Sequence, residues 1–239
     1  MPLNLRATLA ARLRAVADRL APDSATPPAR QTVCPKLLEF EQEHQKWLDA
    51  KGDKTLRLDY PLSADSVVLD IGGFEGQWAS DIYAKYLCSI HVFEAIPSYA
   101  EFIRARFGLN PKIHVHPFGL AASDRTEVFK LAGDASSSFN RGHSEGVEVK
   151  LVNATRILSQ LGITDAALAK VNIEGAEYEL LEHFADTGFI RRIHDLQIQF
   201  HNFVTDAESK LQKVHNLLSR THVPTYQYRF IWENWRLKN

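Results

Sequence analysis

Residues 67–76 read VVLDIGGFEG, an apolar run that closes on a carboxylate and an isoleucine and then breaks into glycines 72, 73 and 76. A run that is apolar on both alternate faces has no side to turn to water, so it belongs in a sheet covered on both faces. GQWASDIYAKYL follows with helical periodicity, and SIHVFEA is a second buried strand that places Glu94 eighteen residues beyond Gly76. Two buried strands joined by a helix pair in parallel, through a crossover of fixed hand. The alternation continues with a helix in SYAEFIRARFG, a strand in KIHVHPF, a short helix in ATRILSQLG, a strand in ALAKVNI and a helix in GAEYELLEHFADTG. It ends with HDLQIQFH as a strand, DAESKLQKVHNLLSR as a helix and TYQYRFIWENW as two short strands. TEVFKLA and GVEVKLV read as two strands flanking the polar loop GDASSSFNRGHSEG. The expected fold is α/β, a mostly parallel sheet with helices on both faces.

The segment before residue 61 has another character. MPLNLRATLAARLRAVADRL carries leucines near one helical face with arginines between them, and reads as a docking or dimerisation helix, a surface for a homo-oligomer, with a basic amphipathic helix resting on a membrane as the alternative. APDSATPPARQTVCP is a linker, and CPKLLEFEQEHQKWLDAKG a second helix closed by Gly52. The division drawn from this is residues 1–60 as an N-terminal helical extension and linker, and 61–239 as the sheet domain. A chain of 239 residues with 45% hydrophobic content supports one such domain with an appendage. The formal net charge of −1 supplies no basic surface for nucleic acid, and Cys34 and Cys88 lie in no metal-binding spacing. No apolar run reaches the ~20 residues of a membrane span. The N-terminus lacks the apolar core of a signal peptide, so a cytoplasmic location is expected.

In an open α/β sheet the ligand lies at the carboxyl ends of the strands. That brings the GGFEG turn beside Glu94, whose carboxylate can accept hydrogen bonds from two ribose hydroxyls. Dinucleotide sites use G-x-G-x-x-G, which lets a pyrophosphate meet a helix N-terminus. Here the spacing differs, and Asp70 stands two residues before the first glycine. A carboxylate there repels a pyrophosphate and favours a ligand bearing an ammonium and a sulfonium. The pattern therefore points to S-adenosylmethionine, with Asp70, Gly72, Gly73, Gly76 and Glu94 as the cofactor-binding set.

KVNIEGAEYELLEHF resembles the signature of FkbM-type methyltransferases, VVLDIGGFEGQWA their glycine motif, HVFEAIPSY their ribose-acid motif, and HPFGLAASDRTEVFKL their A-x-S-D segment at Ala122, Ser123 and Asp124. With FIWENWR, the resemblance covers roughly residues 65–236. It implies a class I methyltransferase (Rossmann-like) fold with a seven-stranded sheet whose last strand is antiparallel. It also implies methyl transfer from S-adenosylmethionine, usually to an oxygen of a sugar, glycan or natural product. Glu174 would lie beside the acceptor or the cofactor's amino group. The chain departs from the family at Asn172, around Thr155–Arg156 and at Gln199, each time losing a carboxylate, which counts against a divalent metal.

A hydroxyl acceptor needs somewhere for its proton to go. His201, at the end of HDLQIQFH, is the expected base, with Glu174 on the neighbouring strand end as its partner; together they form the catalytic set. His114 and His116 alternate on KIHVHPF as further candidates. Ser136 to Ser138, Asn140, Arg141 and His143 in the polar loop, and Tyr226, Tyr228, Phe230, Trp232 and Trp235 near the C-terminus, offer contacts to a small-molecule or glycan acceptor. Two alternatives stay open: a non-catalytic methyltransferase-like binding module, and an NAD-type oxidoreductase using Glu94.

Overall fold

The computed structural model describes residues 35–129 and 146–239. The basic N-terminal helix, the proline-rich linker and the candidate acceptor residues 136–143 lie outside the described residues. Lys36–Asn239 make one compact unit. The first described helix, α1 (Pro35–Asp49), therefore belongs to the same unit as the sheet.

Seven strands form the main sheet: β1 (Val67–Ile71), β2 (Ser89–Phe93), β3 (Ile113–His116), β7 (Ala166–Val171), β8 (Ile193–Ile198), β9 (His222–Tyr228) and β10 (Trp232–Leu237). Their order is β3-β2-β1-β7-β8-β10-β9. Strands β3, β2, β1, β7 and β8 are parallel, and β10 runs antiparallel to both of its neighbours. The strand order reverses between β1 and β7, which opens the crevice where an α/β sheet takes its ligand. The helices are α2 (Gln77–Tyr86), α3 (Pro97–Phe107), α4 (Ala154–Gln160), α5 (Glu177–Asp186) and α6 (Ala207–Leu218). Proline at the first position of α3 and Glu177 and Glu179 in the first turn of α5 are residues that favour helix starts.

A second sheet of three strands, β4 (Gly119–Ala121), β6 (Val147–Asn153) and β5 (Arg125–Phe129), was half expected. The hairpin strands β5 and β6 match TEVFKLA and GVEVKLV. Strand β4 is three residues long, too short to show any periodicity, and it pairs in parallel with β6.

Each face of the main sheet is covered. On one side Leu69, Ile71, Phe93, Ala169 and Leu196 pack with Leu180, Leu181 and Phe184 of α5 and Leu211 and Val214 of α6. On the other, Val68, Ile90, Val92 and Leu168 pack with Trp78, Ala79 and Ile82 of α2 and Ile103 of α3. Trp47 of α1 joins Tyr226, Tyr228, Ile231 and Trp232 in a smaller cluster. Most of the C-terminal aromatics are thereby core and edge packing. Phe230 packs against the main core and also lines a cavity described below.

The second face also carries charge. Asp70, Lys170, Gln197, Asn234 and Tyr226 are successive cross-strand partners on β1, β7, β8, β10 and β9. Residues 57–60 lie over this row. Gln197 Nε2 donates to the Tyr60 hydroxyl at 2.6 Å and to the Arg57 carbonyl at 3.1 Å, and the Arg57 guanidinium sits 4.1 Å over the Trp232 ring. Residues 57 and 60 thus tie the segment before β1 to the sheet.

Candidate active site

The turn after β1 is tight because two glycines let it be. Gly72 has φ +87°, and a Cβ there would lie 1.9 Å from the Asn172 carbonyl oxygen. The turns after β1 and β7 are therefore in backbone contact, which only glycine at position 72 permits. Gly76 has φ +73° and packs beneath Phe107, while a Cβ on Gly73 would strike Val92. Between them Phe74 takes φ +51°, an uncommon conformation for a bulky residue. Glu94, from the end of β2, holds it there: its Oε2 accepts from Phe74 N at 2.7 Å and its Oε1 from Ile96 N at 2.8 Å. Burial pushes the Glu94 carboxyl above the usual range, against the pull of the two backbone donors. The half-exposed Phe74 ring meets Tyr99 edge-on at 4.8 Å.

Asp70 lies one layer below. It is fully buried, and its Oδ1 accepts from Lys170 Nζ at 2.9 Å, while Oδ2 has no partner. Burial raises its carboxyl, and Lys170 opposes the rise. Lys170 also donates to the Gly72 carbonyl. Asp70 thus supports the glycine turn from beneath, through Lys170. Lys170 was not among the expected site residues. The signal was present: a lysine inside the apolar run ALAKVNI needs a buried partner, and Asp70 inside VVLDI needs the same.

The turn after β7 is the second half of the site. Glu174 has φ +54° and Gly175 φ +103°. Glu177, fully buried at the start of α5, accepts from Ile173 N at 2.8 Å and from Gly175 N at 3.0 Å. His201, just past β8, meets this turn with both ring nitrogens. Nδ1 is 2.9 Å from Glu177 Oε1, and Nε2 is 3.7 Å from Glu174 Oε2. Tyr178 donates its hydroxyl to the His201 carbonyl at 2.9 Å. Burial pulls the His201 imidazole down, but the two glutamates outweigh it and hold its pKa above the ordinary value. Phe203, which is 64% exposed, lies 5.1 Å from the His201 ring. The structure brings Glu174 and His201 together as the strand order demands. Glu177 and Phe203 were not among the expected site residues; Glu177 is the last residue of the IEGAE stretch within the family signature.

The other candidates do not join them. His116 pairs with His91 at 3.1 Å and stacks on Phe93, and burial pushes both imidazoles down to about 4. His114 stacks on His91. Asp124 forms a two-pronged ion pair with Arg156, and Asn153 caps α4, so this part of the chain serves the second sheet. Among the described residues, no group of three or more His, Cys, Asp or Glu side chains is arranged to hold a metal ion. No described helix is long and apolar enough to cross a membrane.

Two cavities are lined by residues that follow Glu94 and His201 in the chain. One of about 750 Å³ begins at Ala95, beside Glu94, and is floored by Pro97, Pro117 and Phe118. Another of about 440 Å³ begins at Asn202 and Val204, beside His201, and extends to Phe230, Arg229 and Glu39.

The model of the methyltransferase FkbM domain matches residues 70–230. No protein of curated function matches the sequence. A solved methyltransferase FkbM from Methylobacillus flagellatus KT is similar, with 12% identity and a TM-score of 0.51 over 74% of this chain and 44% of that one. The chain thus spans less than half the length of the Methylobacillus protein, and the likeness is one of fold. A precorrin-6y C5,15-methyltransferase from Geobacter metallireducens GS-15 shows 14% identity and a TM-score of 0.40 over 91% of this chain and 96% of that one. The S-adenosylhomocysteine-bound Podospora anserina methyltransferase PaMTH1 shows 12% identity and a TM-score of 0.43 over 100% and 98%.

Proposed function

The chain belongs to the FkbM methyltransferase family, and from that premise we propose that it moves a methyl group from S-adenosylmethionine to a hydroxyl oxygen of a sugar, glycan or other natural product. The observation that carries this reading is the charge at the strand ends. Glu94 and Glu174 stand just past the ends of β2 and β7, above the buried Asp70 of β1, and the cation beside them, Lys170, is already paired with Asp70. Such a site suits a cationic ligand and repels a pyrophosphate, which disfavours the NAD reading. Asn172 Oδ1, between the two turns, is a buried acceptor with no partner. An ammonium N–H satisfies such an acceptor, so the residues present fit S-adenosylmethionine.

When bound, that group supplies an electrophilic methyl on a sulfonium. Glu94 would hold its ribose, and the backbone of the Gly72–Gly76 turn would hold its methionine end. The acceptor enters on the His201 side, where Phe203 offers a partly exposed ring to a sugar or other apolar face. His201 would take the proton of the acceptor hydroxyl as its oxygen receives the methyl group, and Glu174, open to solvent, would hold that hydroxyl.

Calorimetric titration with S-adenosylmethionine, followed by transfer of a labelled methyl group to a panel of hydroxyl-bearing glycans and natural products, tests the reading. Binding and base-stable labelling of an acceptor oxygen are expected. A folded protein that binds neither S-adenosylmethionine nor S-adenosylhomocysteine would overturn it.

A further inference from the structure

We propose that Glu177 is the positioning carboxylate of this site, holding His201 with its proton on Nδ1 so that Nε2 stands as the base facing the acceptor. The inference rests on the methyl-transfer reading and adds to it which nitrogen acts and what fixes it.

A carboxylate only accepts hydrogen bonds, so the nitrogen facing it must donate. Glu177 Oε1 is 2.9 Å from His201 Nδ1, which makes Nδ1 the donor. A neutral imidazole then has its lone pair on Nε2, the nitrogen that points towards Glu174. The two glutamates are unequal in a way that assigns their roles. The Glu177 side chain is 0% exposed and held by backbone donors on two residues of the turn, whereas that of Glu174 is 74% exposed. Only the first is rigid enough to orient a ring. The same carboxylate stabilises the turn that carries Glu174 in its left-handed conformation, so one buried group places both the base and the residue opposite it. The Tyr178 hydroxyl, donating to the His201 backbone carbonyl, fixes the backbone that carries the imidazole, and the Phe203 ring lies at the imidazole's side. This is the arrangement in which a buried acid fixes the tautomer of a histidine base without itself taking the proton.

The substitution Glu177→Gln tests it. The oxygen that faces Nδ1 is also the one Ile173 N donates to, so the amide oxygen of the variant keeps that place and the amide NH₂ takes the other. The hydrogen bond to Nδ1–H remains, and the negative charge that stabilises the imidazolium is lost. Turnover is expected to fall by about 10²-fold, with S-adenosylmethionine affinity changed less than about two-fold. The ring ¹⁵N shifts of His201 should report Nδ1–H in the wild type, and the imidazole should titrate at lower pH in the variant. A carboxylate that merely braced the turn would alter stability and leave turnover and the imidazole titration alone. The wild-type tautomer needs no variant, so misfolding of Glu177→Gln does not shield the proposal: an Nε2–H ring in the wild-type protein overturns it. A folded, fully active Glu177→Gln variant overturns it too. Failure to bind S-adenosylmethionine, with the tautomer as expected, would instead sink the methyl-transfer reading and the dyad's catalytic role with it.

Discussion

The turns after β1 and β7 are alike in construction and differ in what anchors them. Each has a bulky or charged residue in the left-handed region, Phe74 at φ +51° between the positive-φ Gly72 and Gly76, and Glu174 at φ +54° before the positive-φ Gly175. Each is clamped by a buried glutamate accepting backbone N–H groups. The clamp of the first turn comes from the neighbouring strand, through Glu94. The clamp of the second comes from the helix that follows it, through Glu177. A long-range anchor ties the first turn to the sheet, and both oxygens of its buried glutamate are taken by backbone donors. A local anchor leaves the second turn's buried glutamate with a side-chain partner as well, His201. The difference matches the division of labour proposed above, between holding a donor and handling an acceptor proton.

His201 separates the two turns most sharply. His201→Ala should lower turnover by about 10²–10⁴-fold while S-adenosylmethionine affinity, read by calorimetry, stays within about two-fold. An equal loss in both would merge the two turns into one function. Asp70→Ala should act beneath the first turn. It strands the Lys170 ammonium in the core, which costs about 3–5 kcal/mol, so chemical denaturation should show the loss before any assay does. A variant as stable as the wild type would mean that Asp70 meets the ligand instead of the lysine.

Next come the glycines. Gly72→Ala drives a Cβ into a backbone carbonyl at 1.9 Å, whereas at Gly175 the nearest obstacle is the Val204 side chain at 2.6 Å. Both have positive φ, but a side chain can yield, so Gly72→Ala should cost about 3 kcal/mol or more and the greater share of the two. Denaturant midpoints rank them, and the reverse order would contradict the backbone contact between the turns.

The smallest effect concerns Glu94. Glu94→Ala should weaken S-adenosylmethionine binding about ten-fold, from a charge-assisted bond worth about 1.5–3 kcal/mol. Because burial raises this carboxyl, affinity in the wild type should decline on acidification at a pH above the ~4.3 of an ordinary glutamate. The fold responds with the opposite sign: the stability that protonated Glu94 contributes is present below that ordinary value and is lost as pH rises through its raised one. Affinity flat down to pH ~4 would remove Glu94 from the site.

Much of the site is legible in the linear chain. VVLDI, SIHVF and ALAKV are strands because their apolar residues fall on both alternate faces, and the glycine turn and Glu94 follow from their spacing. Glu174 and His201 pair because adjacent βα units place their strand ends side by side. The three-residue β4 leaves no trace in the pattern. Nor does the polar row from Asp70 to Tyr226, since it depends on the register of five strands whose residues are far apart in the chain.

Periodicity and glycine spacing are local properties of the chain, so they suffice for the parallel α/β sheet, the edge that carries the ligand and the sign of charge there. Which carboxylate serves which partner is settled only on folding: Asp70 with Lys170, Glu94 with the Phe74 turn, Glu177 with His201. Such pairings are fixed within about 3 Å, where hydrogen bonds form, by strand register and side-chain packing between elements. A linear pattern says which face of each element is buried and leaves those distances open.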